Sequence, residues 1–119
     1  MYGLPDDFST DFLLGRNLEQ ICINENQVYF HFDNQLFITV EGTYAYQNVE
    51  SEAGELLIEV PRFDANVLQL LGSSVRKCAS SPDGTLNLSF DNGQTLTMLD
   101  SSREFESYQI RYKDLIIIV

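Results

Sequence analysis

Two segments of the chain share one pattern, and this repeat constrains the fold more than any other feature of the sequence. Residues 28–41 read VYFHFDNQLFITVE, and residues 86–99 read LNLSFDNGQTLTML. In each segment apolar and polar residues alternate, Phe-Asp-Asn interrupts the alternation, and the alternation then resumes. A period of two is typical of a strand with one buried face, and a polar break between two such runs predicts a hairpin.

The residues before each segment match as well, since LGRNL at 14–18 precedes the first and LGSSV at 71–75 precedes the second. We interpret this as one structural unit used twice, over about residues 8–41 and 64–100. A chain of 119 residues is the size of one domain, and we predict a single domain with this internal pseudo-repeat.

The alternation predicts eight or nine short strands, joined by short connections that favour antiparallel pairing. One short helix is predicted after Asp64, with Val67, Leu68 and Leu71 at helical spacing and Gly72 as the stop. A turn or two of helix before Gly15 is the second candidate. The predicted fold is mainly β (α+β): a duplicated antiparallel β-meander, forming either a sandwich or a partly closed barrel.

The chain ends in Leu115–Val119, an aliphatic run that is hazardous as a bare edge strand. We expect it to be paired in the sheet or covered by a second subunit. No apolar run approaches the roughly 20 residues of a transmembrane helix, and the N-terminus lacks the pattern of a signal peptide. A cytoplasmic location is therefore expected. Cys22 and Cys78 are interpreted as small buried apolar residues, and no metal or cofactor is expected.

The net charge of −11 is concentrated in one half of the chain. Residues 1–60 hold eleven acidic residues and one arginine, for a net −10, whereas residues 61–119 have a net charge of −1. Such a field repels nucleic acid and anionic membranes, and it attracts basic partners. A solubilising role is the alternative interpretation of the excess.

Few residues suggest chemistry. His31 is the only histidine, and with Asp33 it is a candidate acid–base pair, although a surface or satisfied strand histidine is the more common case. Asp33 and Asp91 recur before Asn, where the carboxylate can bond backbone N–H groups of its own turn. Tyr44, Tyr46 and Tyr108 suggest an aromatic patch with an acidic rim; tyrosine rings that pack within the sheet are the alternative.

Three segments carry a resemblance to known sequences: Leu14–Asp33, Gly84–Thr97 and Glu104–Ile110. Together they resemble a family of small uncharacterised bacterial proteins, a domain of unknown function. The resemblance implies a small bacterial cytoplasmic protein and supplies no catalytic residues. Small acidic proteins of this sort are similar in type to the immunity proteins of toxin systems.

Three functions are compatible with these features. The first is a non-enzymatic, immunity-like module that neutralises a basic partner protein. The second is a self-associating structural protein with the C-terminal strand and tyrosines at a homodimer seam, and the third is a small hydrolytic enzyme that uses His31 with Asp33. The predicted partner-binding residues are aromatic or acidic: Tyr44, Tyr46, Glu50, Glu52, Glu55, Glu59, Glu104 and Glu106.

Overall fold

A computed structural model describes residues 9–48, 55–60, 62–100 and 106–119, which form ten strands and two short 3-10 helices. The predicted mainly β architecture is confirmed, and it is an open sandwich of two antiparallel five-stranded sheets rather than a barrel. The strands are β1 Leu18–Ile23, β2 Val28–Phe32, β3 Leu36–Val40, β4 Thr43–Asn48, β5 Leu56–Glu59, β6 Val75–Ser80, β7 Leu86–Phe90, β8 Gln94–Met98, β9 Tyr108–Tyr112 and β10 Leu115–Ile118.

The two halves of the chain exchange hairpins between the sheets. Sheet I has the order β1-β2-β3-β9-β10, and sheet II has the order β5-β4-β8-β7-β6. Each sheet therefore combines the three-stranded meander of one half with the last hairpin of the other. The expectation that short connections join paired neighbours is wrong between β3 and β4. There the chain crosses from one sheet to the other through Glu41 and Gly42, whose N–H groups both bond the Ser107 carbonyl.

Equivalent backbone bonds join the two halves. The Gly15 N–H donates to the Val75 carbonyl and the Gly72 N–H to the Leu18 carbonyl, both at 2.8 Å. Each meander also carries a register irregularity near the start of its first strand, β1 in one sheet and β6 in the other. In each repeat unit, the glycine before the first strand thus donates a hydrogen bond to the first strand of the other unit.

The recurring aspartates each bond the loop before the first strand of their own repeat, and not their own turn. Asp33 Oδ1 accepts from the Asn17 N–H, and Asp91 Oδ1 accepts from the Ser74 N–H, each at 3.2 Å. Both carboxylates therefore bond backbone N–H groups, as predicted, but the prediction that these groups lie in the aspartate's own turn is wrong, because they lie before the first strand of each repeat. This arrangement ties each hairpin turn to the start of its own repeat.

The core lies between the sheets and takes one face of every strand. Phe30 packs edge-on against Tyr44 with ring centroids 5.7 Å apart, and Phe32 stacks on Phe90 at 6.5 Å. Inward residues of β2, β3, β7 and β8 have almost no exposed surface, in the alternation read from the repeat. The hydrophobic effect therefore acts on the same positions in both halves.

The short helix predicted after Asp64 is present as a 3-10 helix, Ala65–Leu70. Its cap is as predicted, because the Asp64 side chain accepts from the Asn66 N–H at 2.8 Å. Val67 and Leu70 are buried, whereas Leu68 is exposed. A spacing of three places side chains on one face of a 3-10 helix, so the short segment packs with two residues instead of the predicted stripe.

Candidate functional site

The two sheets differ most on their outer faces. In sheet I the register places Tyr29 opposite Thr39 and His31 opposite Phe37, and these side chains point away from the core. The equivalent pairs of sheet II are Asn87 with Thr97 and Ser89 with Thr95, as set by the pairing of β7 with β8. One scaffold thus carries aromatic side chains on one outer face and small polar side chains on the other.

The outer face of sheet I holds a shallow depression of about 320 Å3, which we call the aromatic depression. His31 and Phe37 form its centre with an edge-to-face contact, their ring centroids 4.9 Å apart. Arg111 lies opposite Phe37 on β9 and is exposed. The depression is lined by Gln27, Tyr29, His31, Phe37, Thr39, Gln109 and Arg111.

A hydrogen-bonded chain closes one end of the depression. The Gln27 side-chain amide donates to Glu41 Oε1 at 2.6 Å, and the Tyr29 hydroxyl donates to the Gln27 side-chain oxygen, Oε1. The Asn24 amide in turn donates to the Tyr29 hydroxyl at 3.2 Å. These bonds orient the Tyr29 ring and hold the Glu41 carboxylate at the margin, so the end nearest the β1–β2 turn is both aromatic and acidic.

His31 and Asp33 have different partners in this arrangement. His31 Nδ1 lies 3.3 Å from the Gln20 side-chain oxygen, whereas Asp33 Oδ1 accepts from the Asn17 N–H and lies 3.8 Å from Arg16 Nε. The carboxylate is therefore turned towards the loop before β1. In this structure the two groups do not form the predicted acid–base pair.

The predicted aromatic patch is wrong, because its tyrosines are core residues. Tyr44 and Tyr108 are fully buried and Tyr46 is 3% exposed. Burial raises the pKa of Tyr44 and of Tyr108 well above the ordinary value, and it raises the pKa of Tyr46 as well. The alternation placed Tyr44 and Tyr46 on one face correctly, but that face points inward, so the alternative interpretation of sheet-packing tyrosines holds.

Of the acidic residues predicted to bind a partner, the three that the structure describes lie on different sheets. Glu55 and Glu59 are exposed beside and within β5 in sheet II, whereas Glu106 is half-buried just before β9 in sheet I. The remaining predicted residues, Glu50, Glu52 and Glu104, lie outside the described residues. Acidic residues closer to the aromatic depression are Glu19 on β1, Glu25 in the β1–β2 turn and Glu41 after β3.

Neither cysteine is fully buried, contrary to the sequence interpretation. Cys22 and Cys78 are both free thiols of intermediate exposure. Burial raises the pKa of the Cys78 thiol, which donates to the Thr10 carbonyl at 3.4 Å. Within the described ranges, no three His, Cys, Asp or Glu side chains group as metal ligands do. No helix in those same ranges is long and apolar enough to cross a membrane.

Comparison with known proteins places the chain in a family without assigning it an activity. Residues 10–119 match a family described as a family of unknown function, DUF6188. The chain belongs to this family. No curated protein and no solved structure matches the chain. The family match spans both repeat units, both sheets and every residue that lines the aromatic depression.

Sequence reasoning missed most of the aromatic depression. The alternation separates Tyr29 and His31 from Phe30 on β2, and Phe37 from Ile38 on β3, without showing which face is exposed. The missing information was the adjacency of β9 to β3, which brings Gln109 and Arg111 to the same surface. A half-exposed Phe at an outward position was the one local signal available, because such positions are usually polar.

Proposed function

We propose that this protein is an acidic protein-binding module that captures and neutralises a basic partner protein, as immunity proteins do, through the outer face of sheet I. We choose this surface because the outer faces of the two sheets differ in their side chains. Tyr29, His31 and Phe37 occupy positions that are Asn87, Ser89 and Thr95 in the other sheet. Aromatic side chains that remain partly exposed on a sheet face are favourable anchors for a partner.

The charge distribution supports a basic partner. The first half of the chain carries a net −10, and strands β1 to β3 of sheet I come from this half. Glu19 and Glu25 are exposed, and Glu41 borders the aromatic depression. A lysine or arginine of the partner would meet a carboxylate and the face of an aromatic ring at the same end of the depression.

Arg111 adds a single positive charge on β9, next to Phe37. Of the residues that line the depression, Arg111 is the one with a permanent charge. This fixed cation favours a partner with an acidic group at the matching position and disfavours one with a basic group there. Rim charges of this kind affect specificity and association rate more than affinity. Arg111 is therefore expected to select among basic partners and to set the orientation of binding.

The product of the gene adjacent to this one is the partner to test first, by titration calorimetry against the purified full-length chain. Phe37→Ala is expected to raise the Kd at least about tenfold, because an anchoring ring is removed. Thr95→Ala changes the equivalent position of sheet II and is expected to leave the Kd unchanged. Equal effects of the two substitutions would count against the surface chosen here.

Charge is tested with two matched pairs of neutral variants. Glu19→Gln with Glu25→Gln removes two charges from sheet I, and Glu55→Gln with Glu59→Gln removes two from the β5 side. The first pair is expected to weaken binding more, because Glu19 lies on β1 and Glu25 in the β1–β2 turn of the sheet that carries the depression. Higher salt is expected to raise the Kd of the unmodified chain. A Kd independent of salt, or an adjacent gene product that is acidic, would refute a basic partner.

A variant with four substitutions tests the acidic residues that the sequence predicts to bind a partner. Neutralising Glu50, Glu52, Glu55 and Glu59 together removes four of the eleven acidic residues of the first half. A loss of binding much larger than that of the sheet I pair would move the contact surface to the β4–β5 side of sheet II. The acidic-module function would then stand, and the outer face of sheet I would be abandoned as its site.

A further inference from the structure

Strand β10 is an open edge of sheet I. It pairs with β9 on one side, and the described residues contain no strand on its other side. Val119 exchanges backbone bonds with Tyr108, and Ile117 pairs with Ile110. In an antiparallel ladder every second residue bonds the same neighbour, so the N–H and C=O groups of Ile116 and Ile118 point to the open side.

This edge lacks the protection that the other three edges carry. Strand β1 has a register irregularity beside the exposed Glu19, and β6 has one beside the exposed Arg76 and Lys77. Charges and irregularities of this kind prevent edge-to-edge pairing. Strand β10 has only aliphatic side chains, and Ile116 and Ile118 are 50% and 40% exposed.

Strand β5, the equivalent of β10 in the other half of the chain, differs from β10 in its charges. The pairing registers of the two exchanged hairpins place Leu57 at the position of Ile118, and they place Glu55 at the position of Ile116. Edge strand β5 therefore has an acidic residue beside it and Glu59 within it. Of two edges built on the same plan, one carries charges and the other has only apolar side chains.

From this difference we infer that the chain forms a two-fold symmetric homodimer in which β10 pairs antiparallel with β10 of a second copy. An axis through Ile117 places Ile116 of one copy opposite Ile118 of the other. These are the residues whose backbone groups point outwards, so four hydrogen bonds form across the axis. The same four isoleucines pack together on the outer face, as a self-complementary interface requires.

A second copy fits this edge better than the basic partner does. No acidic side chain lies on β10, so the edge has nothing to attract a basic protein. The pairing also places no like charges opposite each other. The two sheets I become one ten-stranded sheet, and both aromatic depressions lie on its outer face. The dimer is thus independent of the proposed function, although it would double the surface that function uses.

Salt is expected to have opposite effects on the homodimer and on the binding of a basic partner. Each copy carries −11, so the long-range repulsion between copies opposes the dimer and salt screens it. Raising the ionic strength is therefore expected to strengthen the dimer. The same change weakens capture of a basic protein.

The test is sedimentation equilibrium on the full chain across a wide range of protein concentration, at low and high salt. A monomer–dimer equilibrium that tightens with salt is expected. Ile118→Lys is expected to weaken it at least about tenfold, because a lysine would be desolvated in the apolar seam. Leu57→Lys makes the same change at the equivalent, 67% exposed position of sheet II and is expected to have no effect.

Hydrogen exchange provides a second measurement that needs no variant. Protection of the Ile116 and Ile118 amides is expected to rise with protein concentration, whereas protection of the buried core strands stays constant. A chain that is monomeric throughout overturns the inference. So does a dimer that Ile118→Lys and Leu57→Lys weaken equally, or protection of these amides that does not depend on concentration.

Discussion

Tyr44 and Tyr108 occupy equivalent positions in the two halves, yet within the described part of the chain only the Tyr108 hydroxyl has a hydrogen-bond partner. The Tyr108 hydroxyl donates to the Gly84 carbonyl at 2.6 Å, in a fully buried site. Among the described residues the Tyr44 hydroxyl is buried and has no hydrogen-bond partner. The equivalence follows from the registers, since Tyr108 pairs with Val40 and Tyr44 pairs with Met98.

The same substitution is therefore expected to have opposite consequences at the two positions. Tyr108→Phe removes a hydrogen bond and leaves the Gly84 carbonyl buried without it, which costs about 1.5–3 kcal/mol of the free energy of unfolding. Tyr44→Phe removes a desolvated hydroxyl that bonds nothing. It is expected to leave that free energy unchanged or to raise it by up to about 1 kcal/mol.

Urea denaturation followed by circular dichroism measures both variants against the unmodified chain. Equal slopes of free energy against urea would show that the two substitutions act on the folded state. The expected order of stability is Tyr44→Phe, then the unmodified chain, then Tyr108→Phe. Two variants of equal stability, or a Tyr44→Phe protein that loses more than Tyr108→Phe, would refute the reasoning from hydrogen-bond satisfaction.

Three further predictions concern the same fold and are measured by denaturation. Gly84→Ala is expected to lower the free energy of unfolding by at least about 2 kcal/mol, because φ is +93° and a Cβ would lie 2.6 Å from Asp100 Cβ. Gly72→Ala is expected to lower it by about 1 kcal/mol, because φ is +85° but the space around the Cβ is open. Asp64→Ala is expected to lower the free energy of unfolding by about 1 kcal/mol, because the Asn66 N–H loses its capping acceptor. Asp64→Asn is expected to lower it much less, because asparagine also caps helices. Burial raises the pKa of Tyr44 and Tyr108, so the stability that their neutral forms contribute is present below about pH 10 and is lost as the pH rises further. A free energy of unfolding that increases above about pH 10 would contradict this expectation.

Local patterns in the sequence were enough to locate most of the secondary structure. The alternation around Phe-Asp-Asn predicted β2, β3, β7 and β8. The observed burial alternates in β2, β3 and β7, whereas in β8 the outward Thr97 is buried as well. Pro82-Asp83-Gly84 is a typical turn sequence, and the turn is present, with Gly84 at positive φ and its N–H bonded to the Ser81 carbonyl. These features depend on residues within a few positions of each other, so sequence reasoning reaches them.

The arrangement of the strands was decided by contacts between distant residues. A period of two shows that a strand has two faces, but not which strand lies beside it or, where both faces have apolar residues, which face is buried. The sequence therefore left open whether the shared face of Tyr44 and Tyr46 is exposed or buried, and the structure shows it buried. Only the exchange of the β4–β5 and β9–β10 hairpins brings Arg111 beside Phe37 and leaves β10 at an edge. The sequence by itself determined the strands and the repeat, and the tertiary structure decided which surfaces remain for binding.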